Sequence, residues 1–210
     1  GAGVNLLVLP ELCVTGYTCG DLFFQRVLLR GAEAALEKIL AFSKGSDMVT
    51  VVGLPVRHKE RLYNCAAVVQ DGELLGLVPK THIPNYSEFY EKRQFASGGE
   101  PEAAGVAEIA GKSCIFCART VFACAELPEF KFGVEICEDL WAPEPPSVGL
   151  AASGATIICN PSASDDMVGK DVYRRELVKS WSGSLLCGYV YTSAGDGEST
   201  SDVVFGAHRL

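Results

Sequence analysis

Apolar residues fall along this chain in short runs rather than in long stripes, and most of the runs are strand-sized. The pattern predicts strands over 4–9, 48–56, 61–70, 73–79, 113–117, 131–137, 155–160, 187–193 and 202–205. Asp71-Gly72 separates two of these runs and is a two-residue hairpin signal. Helical spacing appears in three places. Over 21–43 the stripe is Leu22, Phe23, Val27, Leu36, Ile39 and Leu40, with Gly31 a possible interruption. Over 170–185 it is Val172, Leu177, Trp181 and Leu185, and a shorter pattern covers 145–153, where Pro143, Pro145 and Pro146 set the helix start. Residues 81–101 are aromatic and polar without periodicity, and a connection of that length in a domain is usually functional or mobile. Strands interleaved with helices predict an α/β sandwich whose sheets are covered on both faces.

Composition narrows the picture. A chain of 210 residues fits one domain with a sizeable core, and 48% hydrophobic content excludes disorder. The formal net charge is −8 and no block of Lys and Arg occurs, which argues against a nucleic-acid partner. No apolar run reaches the roughly 20 residues of a membrane-spanning helix. The nine cysteines, an odd number in apolar surroundings, are expected to be reduced thiols of a cytoplasmic protein. Cys114 and Cys117 form a CxxC, but the alternating context reads as strand, so structural cysteines are expected and no metal site. The chain opens on Gly1-Ala2-Gly3-Val4 without a Met and closes on a segment resembling a strand in mid-course, so a domain incomplete at both ends is expected.

Three residues stand at the C-terminal ends of strand-like runs and carry complementary chemistry. Cys137 follows Lys131-Phe132-Gly133-Val134-Glu135-Ile136 and precedes Glu138-Asp139-Leu140-Trp141, so it sits at a strand-to-loop elbow. Glu11 ends Leu6-Leu7-Val8-Leu9-Pro10, and Lys80 ends Leu74-Leu75-Gly76-Leu77-Val78-Pro79. A thiol, a carboxylate base and an ammonium are what attack on an amide carbonyl requires. The ammonium is expected to lower the thiol pKa, so iodoacetamide should label Cys137 much faster than the other cysteines.

The strings around these residues extend the argument. Leu9-Pro10-Glu11-Leu12, Thr15-Gly16-Tyr17, Leu62-Tyr63-Asn64, Val78-Pro79-Lys80, Glu88-Phe89-Tyr90-Glu91 and Glu135-Ile136-Cys137-Glu138-Asp139-Leu140-Trp141 resemble the nitrilase superfamily of carbon-nitrogen hydrolases. Within it, these strings together with Asn160-Pro161-Ser162-Ala163-Ser164 and Gly195-Asp196-Gly197-Glu198-Ser199-Thr200 are similar to the glutaminase domains of glutamine-dependent NAD synthetases.

The resemblance implies a four-layer α-β-β-α sandwich, one domain over 1–210, and a Glu11-Lys80-Cys137 triad that hydrolyses glutamine to glutamate and ammonia. It implies a second carboxylate near the lysine, with Glu88 the best match and Glu91 the rival, and a supporting place for Glu138. Tyr17, Tyr86, Ser164 and Lys170 would hold glutamine and Trp141 would wall the pocket, Lys170 facing the α-carboxylate where relatives often carry Arg. No cofactor is implied in this domain. ATP, Mg2+ and deamido-NAD belong to a C-terminal synthetase domain, whose phosphate loop this chain lacks, and assembly as a homo-oligomer is implied. The alternative is a free-standing amidase or carbamoyl hydrolase of the same superfamily.

Overall fold

The computed structural model describes residues 3–210; the opening Gly1-Ala2, read above as a cut end, lies outside them. Ten strands build two sheets. The first contains β1 (Leu6–Val8), β2 (Val49–His58), β3 (Arg61–Gln70), β4 (Glu73–Pro79), β5 (Gly105–Ile109) and β6 (Lys112–Phe116), in the order β1-β2-β3-β4-β6-β5. The predicted hairpin at Asp71-Gly72 is present between β3 and β4. Its two residues have φ of 47° and 77°, the double positive φ that a type I′ turn needs. The second sheet contains β7 (Val121–Ala123), β8 (Lys131–Val134), β9 (Ile157–Ser162) and β10 (Gly188–Ser193), in the order β10-β9-β8-β7. There β8, β9 and β10 run parallel, so their C-terminal ends share one edge of the molecule.

The inner faces of the sheets meet in one apolar layer. Val49, Val51, Ala66, Val68 and Val78 come from the first sheet, and Phe132, Val134 and Cys159 from the second, with Ile136 beside them. Helix α1 (Arg26–Ser43) covers the outer face of the first sheet by placing Leu36 and Leu40 among Leu54, Val56, Tyr63 and Phe116. Helices α2 (Pro146–Ala152) and α3 (Lys170–Leu185) cover the second sheet through Leu150 on Ile158 and Val178 against Tyr191. The result is the α-β-β-α sandwich expected from the sequence. Strands buried on both faces explain why the runs read as continuous apolar segments rather than alternating ones.

The structure departs from the sequence reading at several edges. The helix expected over 21–43 is a 3-10 turn, Tyr17–Phe24, followed by α1; Gln25, with φ −83° and ψ 126°, breaks the path between them. Gly31 does not interrupt α1, and no atom lies within 4 Å of where its Cβ would stand. Strands β5 and β7 were not expected, because each is short and half-exposed at a sheet end. No strand forms over 202–205. Instead residues 207–210 lie along β10, with Ser193 N–H on His208 O and Tyr191 N–H on Leu210 O, both 3.0 Å. The long connection 81–101 contains the helical turn Glu91–Arg93, and its last residue opens a second turn, Pro101–Ala103.

Candidate active site

Glu11, Lys80 and Cys137, separated along the chain, are brought to the same end of the sandwich. Glu11 lies just beyond β1 in a turn that rests on β2. Gly53 permits that contact: a Cβ there would stand 2.4 Å from Leu12 N and 2.5 Å from Pro10 O. Lys80 follows β4 at once, and its N–H donates to Asn64 O at 2.8 Å. Cys137 begins a 3-10 turn after β8 with φ 47°, a left-handed conformation that a residue with a Cβ rarely adopts. The residue so held is buried and lines a small cavity with Glu138 and Trp141 of the same turn.

The charged side chains form one buried cluster. Lys80 Nζ donates to Glu11 Oε1 and to Glu91 Oε1, both at 2.6 Å, and the lysine side chain has 0% exposure. Asn64 Nδ2 donates to Glu11 Oε1 at 2.6 Å, and the Ala163 amide to Glu11 Oε2 at 2.9 Å. Tyr17 donates its hydroxyl proton to Glu91 Oε1 at 2.8 Å. Burial on its own would pull the Lys80 pKa down, but Glu11 and Glu91 together raise it well above the ordinary lysine value. Burial raises the Glu91 pKa, with Lys80 opposing and Glu11 assisting. One ammonium between two carboxylates thus stays charged and cannot serve as a base.

The thiol behaves differently from the sequence expectation. Burial pushes the Cys137 pKa well above the ordinary thiol value, Glu11 and Glu91 push it further, and Lys80 and the Ala163 amide only partly offset them. The resting group is therefore a protonated thiol, not a standing thiolate. Any enhanced reactivity must come from transfer of its proton to a neighbour.

Of the two rivals for the second carboxylate, Glu91 meets Lys80 and Glu88 does not. The backbone decides this. Ser87 has φ 50°, Phe89 N–H closes on Tyr86 O, Phe89 is buried, and Glu91 N–H returns to Pro84 O, so position 91 turns inward and the half-buried Glu88 stays on the outer side. Tyr86, Glu138, Trp141, Ser164 and Lys170 do gather around Cys137, lining with Pro84 and Phe89 a cavity of about 90 Å³. It adjoins a wider cleft of about 900 Å³ that shares Tyr86, Glu138 and Trp141. Tyr86 donates to Glu138 at 2.8 Å, and burial raises the Glu138 pKa. Tyr17 is placed apart from the others, its hydroxyl committed to Glu91 rather than to this cavity.

Three residues escaped the sequence reading as members of the site. Asn64 is a polar side chain in the middle of the apolar run of β3, and that anomaly was the available signal. Asp139 accepts the His82 N–H at 2.6 Å and the Ile136 N–H at 2.9 Å, clipping the segment after Lys80 to the elbow before Cys137. Burial raises its pKa to about 6, against those amide bonds. Asp165, buried just beyond β9, pairs with Lys170. Away from the site, Cys114 is buried in β6, all nine cysteines are free, and no cluster able to hold a metal ion occurs among the described residues. No helix among them is long and apolar enough to cross a membrane.

Comparison with known proteins agrees with this geometry. A protein of Mycobacterium tuberculosis named glutamine-dependent NAD(+) synthetase is 44% identical over 209 residues, which is 99% of this chain and 30% of the relative. The crystal structure of a glutamine-dependent NAD(+) synthetase from Cytophaga hutchinsonii superposes with a TM-score of 0.78 at 31% identity, over 90% of this chain and 30% of that one. An amidase from Nesterenkonia shares the fold, with a TM-score of 0.71 at 20% identity over 99% of this chain and 69% of its own. The chain thus spans about 30% of the length of the synthetases it matches. Residues 1–179 match the carbon-nitrogen hydrolase family, and with the fold, the elbow cysteine and the buried lysine in place, the chain belongs to that family.

Proposed function

We propose that this chain is the ammonia-generating part of a glutamine-dependent NAD synthetase, hydrolysing glutamine to glutamate and ammonia through a thioester on Cys137. The observation that carries this reading is the Lys80 ammonium fixed between Glu11 and Glu91 beside a buried thiol. Similarity to synthetases along almost the entire chain supports the choice of glutamine.

The chemistry follows from the protonation states. Glu11 takes the Cys137 proton as sulfur attacks the carboxamide carbon, so charge never rests on an isolated thiolate. Lys80, held as a cation, faces the oxyanion of the tetrahedral intermediate, and backbone N–H groups after Cys137 share that charge. Glu11 returns the proton to the departing nitrogen, releasing ammonia and leaving the thioester. The same carboxylate then draws a proton from water, whose oxygen adds to the thioester carbonyl, and the collapse returns the thiol and frees glutamate. Glu91 stabilises the Lys80 charge and orients it, with Tyr17 and Asn64 holding the carboxylates in place. The ammonia would complete the amide of NAD on adenylated deamido-NAD, with ATP and Mg2+ bound by a synthetase domain beyond this chain's span.

In the full-length protein, Cys137→Ala should abolish NAD formation driven by glutamine and leave formation driven by ammonium salt intact. Loss of both would refute the separation of roles, and retention of both would remove Cys137 from the chemistry.

A further inference from the structure

The segment that carries the thiol is closed at its neck by a buried carboxylate. Glu135 follows β8 at once, and its N–H donates to Cys159 O at 3.0 Å, continuing the parallel pairing with β9. Val134 and Ile136 belong to the layer between the sheets, so alternation sends Glu135 to the opposite, helix-covered face. There Oε2 accepts the Ser147 N–H of α2 at 2.8 Å, and Oε1 accepts the Tyr189 hydroxyl of β10. Ser162 Oγ donates to Asn160 Oδ1 at 2.6 Å, and the amide so oriented donates to the Tyr189 oxygen at 3.2 Å, which directs the tyrosine proton to Glu135. One carboxylate, 1% exposed, thus ties β10 and α2 to the end of β8. Its bond to Ser147 also closes residues 135–147 into a loop. Cys137, Glu138 and Trp141, which line the small cavity, all lie within that loop.

Stability alone does not account for a carboxylate in this place. Among the described residues no Lys, Arg or His forms an ion pair with it. Burial raises its pKa to about 7, the Tyr189 bond opposes the rise, and Asp139 adds to it. A neutral amide would fill the same space at a smaller desolvation cost. The ionised group does what an amide cannot, since it accepts from both donors at once. Two positions on, Cys137 is held at φ 47°, a conformation that persists only where its surroundings over-determine it. Asp139 grips the elbow through the Ile136 N–H, and Glu135 anchors its two ends through Ser147 and Tyr189. We propose that Glu135, as a carboxylate, is a positioning residue that sets the Cys137 thiol in register with Glu11 and Lys80 by holding the elbow loop closed between α2 and β10. Glu135 lines neither the small cavity nor the wider cleft, so it acts through the loop and not on substrate. This deepens the reading of Cys137 as the nucleophile of glutamine hydrolysis and rests on it.

The test uses the full-length protein and the isosteric Glu135→Gln, whose amide oxygen replaces two acceptors with one. Iodoacetamide labelling of Cys137 reads thiol placement without substrate, and ammonia release from glutamine reads the chemistry. Labelling should slow about tenfold, and kcat should fall about tenfold to a hundredfold with KM within about threefold of wild type. A carboxylate whose folded pKa lies above its unfolded value costs stability in full above the folded pKa. The melting temperature at pH 8 should therefore be unchanged or higher in the variant. Wild-type kcat should also decline as pH falls through about 7, where a proton on Glu135 removes one acceptor from the loop neck, and this limb should be absent from the variant. Unchanged labelling or kcat would overturn the proposal, and so would an acid limb that persists in the variant. A melting temperature that falls along with both rates would overturn it too, leaving Glu135 ordinary scaffolding. Should Glu135→Gln not fold, Tyr189→Phe decides, because it removes only the Oε1 bond and keeps the ring: both rates should drop about threefold to tenfold, and no drop overturns the proposal. Wild type that turns over no glutamine, with labelling still slowed by the substitution, would defeat the glutamine reading and leave the positioning role standing.

Discussion

Cys137 and Cys159 both belong to the apolar layer between the two sheets, and solvent reaches 5% of one and 0% of the other. Burial raises both thiols, Cys159 to about 12 and Cys137 well above the usual value. The difference lies in company. Burial is the sole influence on Cys159, so its proton has nowhere to go. Cys137 feels Glu11, Lys80, Glu91 and the Ala163 amide as well. On the proposed mechanism, therefore, a low resting pKa is not what sets Cys137 apart. A carboxylate to take its proton and a cation for the charge that develops later, both held in place before substrate arrives, would set it apart.

The most direct way to erase the contrast is to remove the base. Glu11→Gln should lower ammonia release by about a hundredfold to ten-thousandfold and bring iodoacetamide labelling of Cys137 down toward that of Cys159. Turnover and labelling that survive the substitution would mean that another group takes the proton. A gentler intervention loosens the geometry and leaves every reacting group in place. In Asp139→Asn an amide N–H faces backbone donors where the carboxylate accepted from His82 and Ile136. A fall in kcat of about tenfold to a hundredfold is expected, together with slower labelling of Cys137, while KM changes little. A variant that loses only thermal stability would show Asp139 to be ordinary scaffolding. The smallest effect should come from the comparison residue itself. Cys159→Ala should leave kcat within about twofold of wild type and cost about 1 kcal/mol, read as a melting-temperature drop of about 2–4 °C. A large loss of turnover there would contradict the inert role assigned to it.

What could be read in advance follows the physics of each feature. Strands buried on both faces announce themselves as unbroken apolar runs, so β2, β3, β4 and β9 were legible, as was the I′ turn at Asp71-Gly72. The positions of Glu11, Lys80 and Cys137 at one end of the sandwich were legible because each directly follows such a run. Residues whose placement depends on the path of an irregular segment were not. Glu88 and Glu91 differ by three positions in one loop, and only the reversal at Ser87 decides which of them reaches Lys80. The resting charge on Cys137 was misjudged for a related reason. Lys80 was visible in the sequence, whereas the degree of burial and the second carboxylate beside it were not. Asp165 stayed unnoticed because a carboxylate five residues before a lysine is unremarkable until a helix start folds the two together.

The bare Cα of Gly53 has a practical corollary. Replacing glycines by alanine is a common route to thermostable proteins, since it narrows the freedom of the unfolded chain. Applied at this position, the extra methyl would drive into the backbone that presents Glu11. A stabilisation campaign on this protein should therefore leave residue 53 untouched and begin with Gly31 or Gly149, which sit in α1 and α2 with open space around them.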